Sequence, residues 1–262
     1  MRFVRYQLGS ADASYGWIYE DQVGPVEGDI FHDYRRKEAN IPLSMVRLAA
    51  PVIPGKVIGI INNYVIYSGS DKPQIPDIPL LHFKPHTTII GPNEPIYLPP
   101  QSKNVVHEAE LALVIGKVGR WIGVDNARDY IFGYTIANDI TAQDLLEQDG
   151  VLDRAKGFDT FCPIGPWIET ELDPVDLLIT CRVDAEMRQM ASTHEMVFTI
   201  PQLVAFISSV MTLQPGDVIL TGSPAGSGPI EHGNHVEVSI EGIGTLTNPV
   251  EFERDKLISR VR

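Results

Sequence analysis

The chain has little of what would mark a secreted, membrane-spanning or nucleic-acid-binding protein. It holds two cysteines in 262 residues, Cys162 and Cys181. Neither belongs to a CxxC pair, so the spacing encodes neither a disulfide framework nor a thiolate zinc site; two buried thiols in a reducing compartment are expected. The seven histidines do not cluster. Basic residues are outnumbered 21 to 34, and the formal charge of −13 disfavours a nucleic-acid footprint or an anionic membrane surface. No apolar run approaches a membrane span, and the opening MRFVRYQLGSADAS lacks the apolar core of a signal peptide. A cytoplasmic location is the default expectation. There is no internal repeat, no low-complexity tract and no glycine-rich loop ending in GK[ST].

What is present is an ordinary globular composition, 44% hydrophobic and 21% charged, in a chain long enough to bury a full core. Residues 1–50 read as a small leading unit, with β-like pieces at Met1–Leu8 and Trp17–Tyr19 and a helical turn around Ile41–Leu48. The linker-like PVIPGK, Pro51–Lys56, delivers a buried strand at Val57–Ile61. Pro73 to Pro100 holds eight of the 20 prolines. Proline fixes φ and lacks an N–H, so irregular chain or strand edge is expected there, in the manner of a lid or binding loop.

Strands then dominate, at Ala109–Ile115, Trp167–Glu169, Leu178–Val183, Val218–Thr221, His235–Ile240 and Thr245–Phe252. Two helices are expected. One starts near Asn126 and includes Ala127–Tyr130; the other runs from Pro201 to about Met211 with Leu203, Ile207 and Val210 on one face. Many short strands with few helices point to an α+β, predominantly β fold, closed or rolled, with helices outside.

Three acidic residues stand in apolar surroundings: Glu108 and Glu110 in HEAELALVIGK, and Asp139 in GYTIANDIT. Alternate side chains of a strand share a face, which puts Glu108 and Glu110 together, roughly 6–7 Å apart along the strand. Two carboxylates on a buried face repel each other and lose hydration unless a cation or hydrogen-bond donors compensate. With Asp139 they would form a hard-oxygen site suited to Mg²⁺ or Mn²⁺. The alternative is a solvated strand edge for the pair and a helix cap for Asp139.

EAELALVIGK, GYTIANDITAQDL, KGFDTFCPIGPWI, LQPGDVILTGSPAG and SIEGIGTLTNPV resemble, in the same order, the fumarylacetoacetate hydrolase superfamily. The resemblance spans about Gly59 to Val250. It implies a mixed β-roll core with peripheral helices over residues 51–262, residues 1–50 being a variable N-terminal appendage. It implies that Glu108, Glu110 and Asp139 hold a catalytic Mg²⁺ or Mn²⁺, that the substrate is a small 2-oxo or β-diketo acid handled through a metal-stabilised enolate, and that the chain forms a homodimer. Lys156, in KGFDT, matches a lysine placed to stabilise developing negative charge or to bind the substrate carboxylate. Thr221, Gly222 and Ser223, in TGSPAG, match a substrate-binding loop; the same residues would also serve as a tight turn. Tyr64 and Gln143 match further substrate-binding positions.

The chain also departs from the family pattern. Hydrolytic members typically carry a His–Glu pair that activates water, and here Tyr67 and Ser70 stand at those positions. A neutral phenol, with an ordinary pKa of about 10, is a poor base at neutral pH. An arginine common after the aspartate is also missing, with Gln143 and Leu146 in that run. His82 and His86 are candidate replacement bases on the proline-rich loop. His107 should face away from Glu108 and Glu110 as a structural or supporting residue, and His194, His232 and His235 form no usable pattern. The leading expectation is a C–C bond hydrolase of acylpyruvate type; the alternatives are an isomerase or decarboxylase of 2-hydroxydienoate or oxaloacetate-like acids (with sugar-acid dehydration a further variant) and a non-catalytic binding protein that keeps the metal.

Overall fold

Leu111, Ala112, Leu113, Val114 and Ile115 leave no polar face for water, so a strand made of them must be covered on both sides. In the computed structural model, which describes residues 1–65 and 75–253, every residue of the Ala109–Ile115 strand is buried. Leu111, Leu113 and Ile115 point into one hydrophobic cluster, Ala112 and Val114 into another. Glu110 shares the second face by the two-residue period.

This strand pairs antiparallel with Ile131–Asn138 on one side and with Val218–Leu220 on the other. Val218–Leu220 runs parallel to Val57–Ile61, which pairs in turn with Leu80–Lys84. Beyond Ile131–Asn138 come Cys162–Glu169 and then Arg2–Gln7, which brings the first 50 residues into the same sheet of thirteen strands. The N-terminal ammonium reinforces that junction, 2.6 Å from Glu169 Oε1. A five-stranded sheet, containing Leu178–Val183, Glu186–Ser192, His235–Ile240 and Gly244–Phe252, packs over the first cluster. Three short strands, Val105–His107, Thr141–Ala142 and Gly228–Pro229, form a third sheet beside the carboxylates. The fold is α+β and mostly β, as expected from the sequence. No helix of the described residues is long and apolar enough to cross a membrane.

Several local expectations require correction. The segment after Gly123 is a seven-residue 3₁₀ turn, Val124–Tyr130, and the next residues form the Ile131–Asn138 strand. That strand is apolar on both faces and shows no alternation to betray it. The helix predicted from Pro201 runs Ile200–Val210, with Thr199 N–H donating to Gln202 Oε1 at 2.8 Å. Leu203 and Ile207 are buried, but Val210 is exposed. Two short helices, Gln143–Asp149 and Leu152–Lys156, carry mainly polar residues and give no apolar period to read. The proline-rich stretch is less irregular than expected. Pro79 and Pro85 bracket Leu80–Lys84 without interrupting its ladder, so His82 lies on a strand and not on a lid. Tyr67 and Ser70 lie outside the described residues. Cys162 and Cys181 are free and buried, and burial pushes each thiol up to about 12.

Leu113→Ala leaves a void between closely packed layers and is expected to lower the unfolding free energy by about 2–5 kcal/mol. Urea denaturation would show this as a reduced midpoint with little change in slope.

Candidate functional site

The register of two strands assembles the carboxylates. Ala109 pairs with Asn138, and Asp139 N–H, one residue beyond the strand, donates to Glu108 O at 2.8 Å. Asn138 Oδ1 accepts from Glu108 N–H at 2.9 Å. These contacts fold the ends of both strands together. One oxygen from each of Glu108, Glu110 and Asp139 lies within 4.8 Å of the others.

Three charges of one sign in so small a volume need compensation, and two lysines supply part of it. Lys156, last residue of the Leu152–Lys156 helix, places Nζ 2.7 Å from Asp139 Oδ2 and 3.0 Å from Glu108 Oε2. It also donates to Thr141 Oγ1 at 2.7 Å, and Thr141 donates onward to Glu108 Oε1 at 2.9 Å. Lys84 Nζ lies 2.6 Å from Asp139 Oδ1. His82 Nε2 lies 3.0 Å from Asp139 Oδ2. The His82 ring fits because Gly59 is its cross-strand partner: a Cβ there would fall 2.0 Å from the ring.

The electrostatics separate the three acids. Burial pushes the Glu110 carboxyl well above the ordinary range, and nearby Asp139 adds to the rise, against the pull of Lys156. Asp139 is equally buried, which opposes ionisation, but Lys156, Lys84 and His82 together hold it well below the usual value. Burial likewise works against the charge of Lys156, and Asp139 and Glu108 more than reverse that, so it remains an ammonium. The donor set, three carboxylates and no sulfur, suits a hard divalent cation. Two further features fit one: a buried glutamate that resists ionisation without a cation, and an Asp139 Oδ1 with no well-aligned hydrogen-bond donor despite Lys84 beside it.

A cavity of about 470 Å³ opens beside the cluster, with Glu108, Asp139, Lys156, His82 and Ser223 on its wall. Gln143 and Leu146 line it as well. Among the described residues, His82 is the one histidine on this wall; His107 is buried elsewhere, with Nδ1 3.0 Å from Gln189 Oε1.

Two of the expected substrate contacts are otherwise engaged. Thr221 is buried and donates its hydroxyl to Leu111 O at 2.8 Å, which makes it a strut between strands. Gly222 N–H is used by Glu110 Oε2 at 2.6 Å, and its φ of +96° allows that close turn. Tyr64 is buried, and its hydroxyl has no partner among the described residues. Lys84 and Thr141 were missed. Lys84 looked like one residue of an irregular loop, and Thr141 has no chemistry apart from the contacts that the fold provides.

Residues 56–251 match the protein family described as Fumarylacetoacetate (FAA) hydrolase C-terminal, and residues 1–51 match the one described as Rv2993c-like, N-terminal. A mitochondrial oxaloacetate tautomerase of Rattus norvegicus is 39% identical over 224 residues, which span 80% of this chain and 71% of the relative. The solved structure of 5-carboxymethyl-2-hydroxymuconate delta-isomerase from Mycobacterium smegmatis is 42% identical with a TM-score of 0.90. That of maleylpyruvate hydrolase from Sphingobium sp. SYK-6, in complex with manganese(II) and pyruvate, is 30% identical with a TM-score of 0.81. Both superpositions cover 97% of this chain and all of the other. These relatives are enzymes of three reaction types.

Glu110→Gln removes one of three ionised donors while preserving shape. Mn²⁺ affinity, followed by calorimetry, is expected to fall by more than the ~10–100-fold that loss of an outer-shell partner costs. In the unaltered protein the ion must displace the proton that Glu110 retains above the ordinary glutamate range. Affinity should therefore weaken as pH falls from neutrality towards 5, with proton release on binding. Affinity independent of both the substitution and pH would disprove the three-carboxylate site.

Proposed function

The chain belongs to the fumarylacetoacetate hydrolase family, and from that premise we propose that it is a divalent-metal-dependent enzyme that enolises small 2-oxo acids, its reaction being keto–enol tautomerisation or isomerisation of an oxaloacetate-like acid. The observation that carries this reading is the cluster of three carboxylates and two lysines, of which Glu108, Asp139 and Lys156 line a small cavity. With all five ionised, the cluster has one net negative charge; a divalent cation would turn that into one net positive charge. Such a site favours a carboxylate ligand over a neutral one.

Mg²⁺ or Mn²⁺ held by Glu108, Glu110 and Asp139 would supply a Lewis acid for the substrate's keto group. Lys156 stays protonated beside Glu108 and Asp139, so it acts as a fixed positive charge that favours an oxygen gaining negative charge nearby, not as a base. Ser223, also on the cavity wall, offers a hydroxyl to the substrate carboxylate. The mitochondrial tautomerase and the delta-isomerase among the relatives support this choice of reaction. So does the chain's own replacement of the usual water-activating pair by Tyr67 and Ser70.

Acylpyruvate hydrolysis is the second reading. His82 favours it as the one histidine of the described residues on the cavity wall, its Nε2 3.0 Å from Asp139 Oδ2. The maleylpyruvate hydrolase similarity points the same way.

Ketonisation of enol-oxaloacetate, followed by ultraviolet absorbance with Mg²⁺, Mn²⁺ or EDTA, tests the first reading. Metal-dependent acceleration is expected, and Lys156→Met should reduce it about 10²–10³-fold while Mn²⁺ still binds. No acceleration above the EDTA control would refute it. Metal-dependent acetate and pyruvate from acetylpyruvate, seen by NMR, would establish hydrolysis instead; His82→Gln and Tyr67→Phe would then identify the base.

A further inference from the structure

Gln189 plays no part in the metal cluster, yet it is 1% exposed and all of its hydrogen-bonding capacity is used. Its Oε1 accepts from Ala109 N–H at 3.1 Å and faces His107 Nδ1 at 3.0 Å. Its Nε2 donates to Ser223 Oγ at 2.9 Å and to Pro224 O at 2.7 Å. Two backbone groups fix which way round the amide lies. Ala109 N–H can only donate and Pro224 O can only accept, so a flipped amide would set donor against donor and acceptor against acceptor.

We propose that Gln189 is a positioning residue that clamps the Ser223–Pro224 loop to the carboxylate strand and turns the Ser223 hydroxyl proton towards the substrate carboxylate. Ala109 lies between Glu108 and Glu110, so the Oε1 end of the clamp is tied to the strand that holds the cluster. The Nε2 end occupies a lone pair of Ser223 Oγ, which has no other protein partner among the described residues. A hydroxyl that accepts from the protein on one side keeps its own hydrogen to donate on the other, and the cavity lies there.

The rest of the loop is held just as closely. Gly222 N–H reaches Glu110, Asn63 Nδ2 donates to Thr221 O at 2.8 Å, and a Cβ on Gly226 would strike Arg188 O at 2.2 Å. With its ends fixed in this way, the loop depends on Gln189 for the height and rotation of Ser223. The inference rests on the 2-oxo acid reading only for the identity of the ligand; the clamp itself can be measured without one.

The test compares wild type, Gln189→Leu, Ser223→Ala and the double variant, with Gln189→Met replacing the leucine variant where that one fails to fold. Pyruvate binding with Mn²⁺ present is measured by calorimetry, and amide hydrogen exchange is measured across residues 222–226. Gln189→Leu and Ser223→Ala should each weaken pyruvate about tenfold. The double variant should weaken it no more than Ser223→Ala alone, because Gln189 acts through that hydroxyl. Mn²⁺ affinity should change by less than about threefold throughout. Exchange at 222–226 should quicken at least about tenfold in the Gln189 variant and not in Ser223→Ala. Unchanged exchange, unchanged pyruvate affinity in the folded Gln189 variant, or losses that multiply in the double variant would each overturn the proposal. A wild-type protein that binds no pyruvate would sink the functional reading, while the exchange pattern still decides the clamp.

Discussion

The burial of two carboxylates, with a third half-buried against them, beside two lysines is the constraint to which the surrounding structure answers. Glu110 and Asp139 are removed from water, and such groups persist as charges only when partners are held within hydrogen-bonding distance. Each partner comes from a different element: Lys84 from a strand, Lys156 from the end of a short helix, Thr141 from a two-residue strand and Gly222 from a tight turn. Their convergence needs the Ala109–Ile115 and Ile131–Asn138 strands in one particular register. A slip of one residue would turn Glu110 into the opposite hydrophobic layer. The apolar residues that follow prevent this, because both faces of the strand are filled.

The same logic explains the unequal acids. Asp139 meets both lysines and His82 and is held ionised; Glu110 meets one backbone N–H and lies within reach of two other carboxylates, so it resists ionisation. A divalent cation would relieve mainly Glu110. Binding of the ion and completion of the site are therefore one event in energetic terms.

Much of this was legible in the sequence. The Val57–Ile61, Ala109–Ile115, Leu178–Val183 and His235–Ile240 strands have the bounds expected for them, because their apolar runs are bordered by turn-forming or charged residues. Glu108 and Glu110 were visible because carboxylates are conspicuous in an apolar strand. Lys84, Thr141 and Gln189 were not. Lysine beside proline resembles solvated loop, threonine is unremarkable in any strand, and a glutamine in EMRQMAS reads as surface. Their roles come from non-local pairing: Lys84 lies 55 residues from Asp139 in sequence and Gln189 lies 80 from Ala109. Local periodicity carries no information on such pairs. Two residues expected at the substrate show the converse. Thr221 and Gly222 sit in the right neighbourhood, but only the structure shows that the Thr221 hydroxyl and the Gly222 N–H are already used.

Net charge raises a last physical question, since a chain with a formal charge of −13 should repel an anionic substrate. Distance and dielectric resolve it. Exposed acids act through water, where screening at physiological salt cuts interactions within roughly 8 Å. Lys156 is buried at the cavity wall and Lys84 is buried beside Asp139, where a charge is screened far less. On the proposed reading, the approach of a 2-oxo acid would be governed by weak, salt-sensitive repulsion, and its retention by a few close cations that salt barely reaches. An acidic surface would then not compromise a site whose preference for carboxylates is set in the last few ångströms.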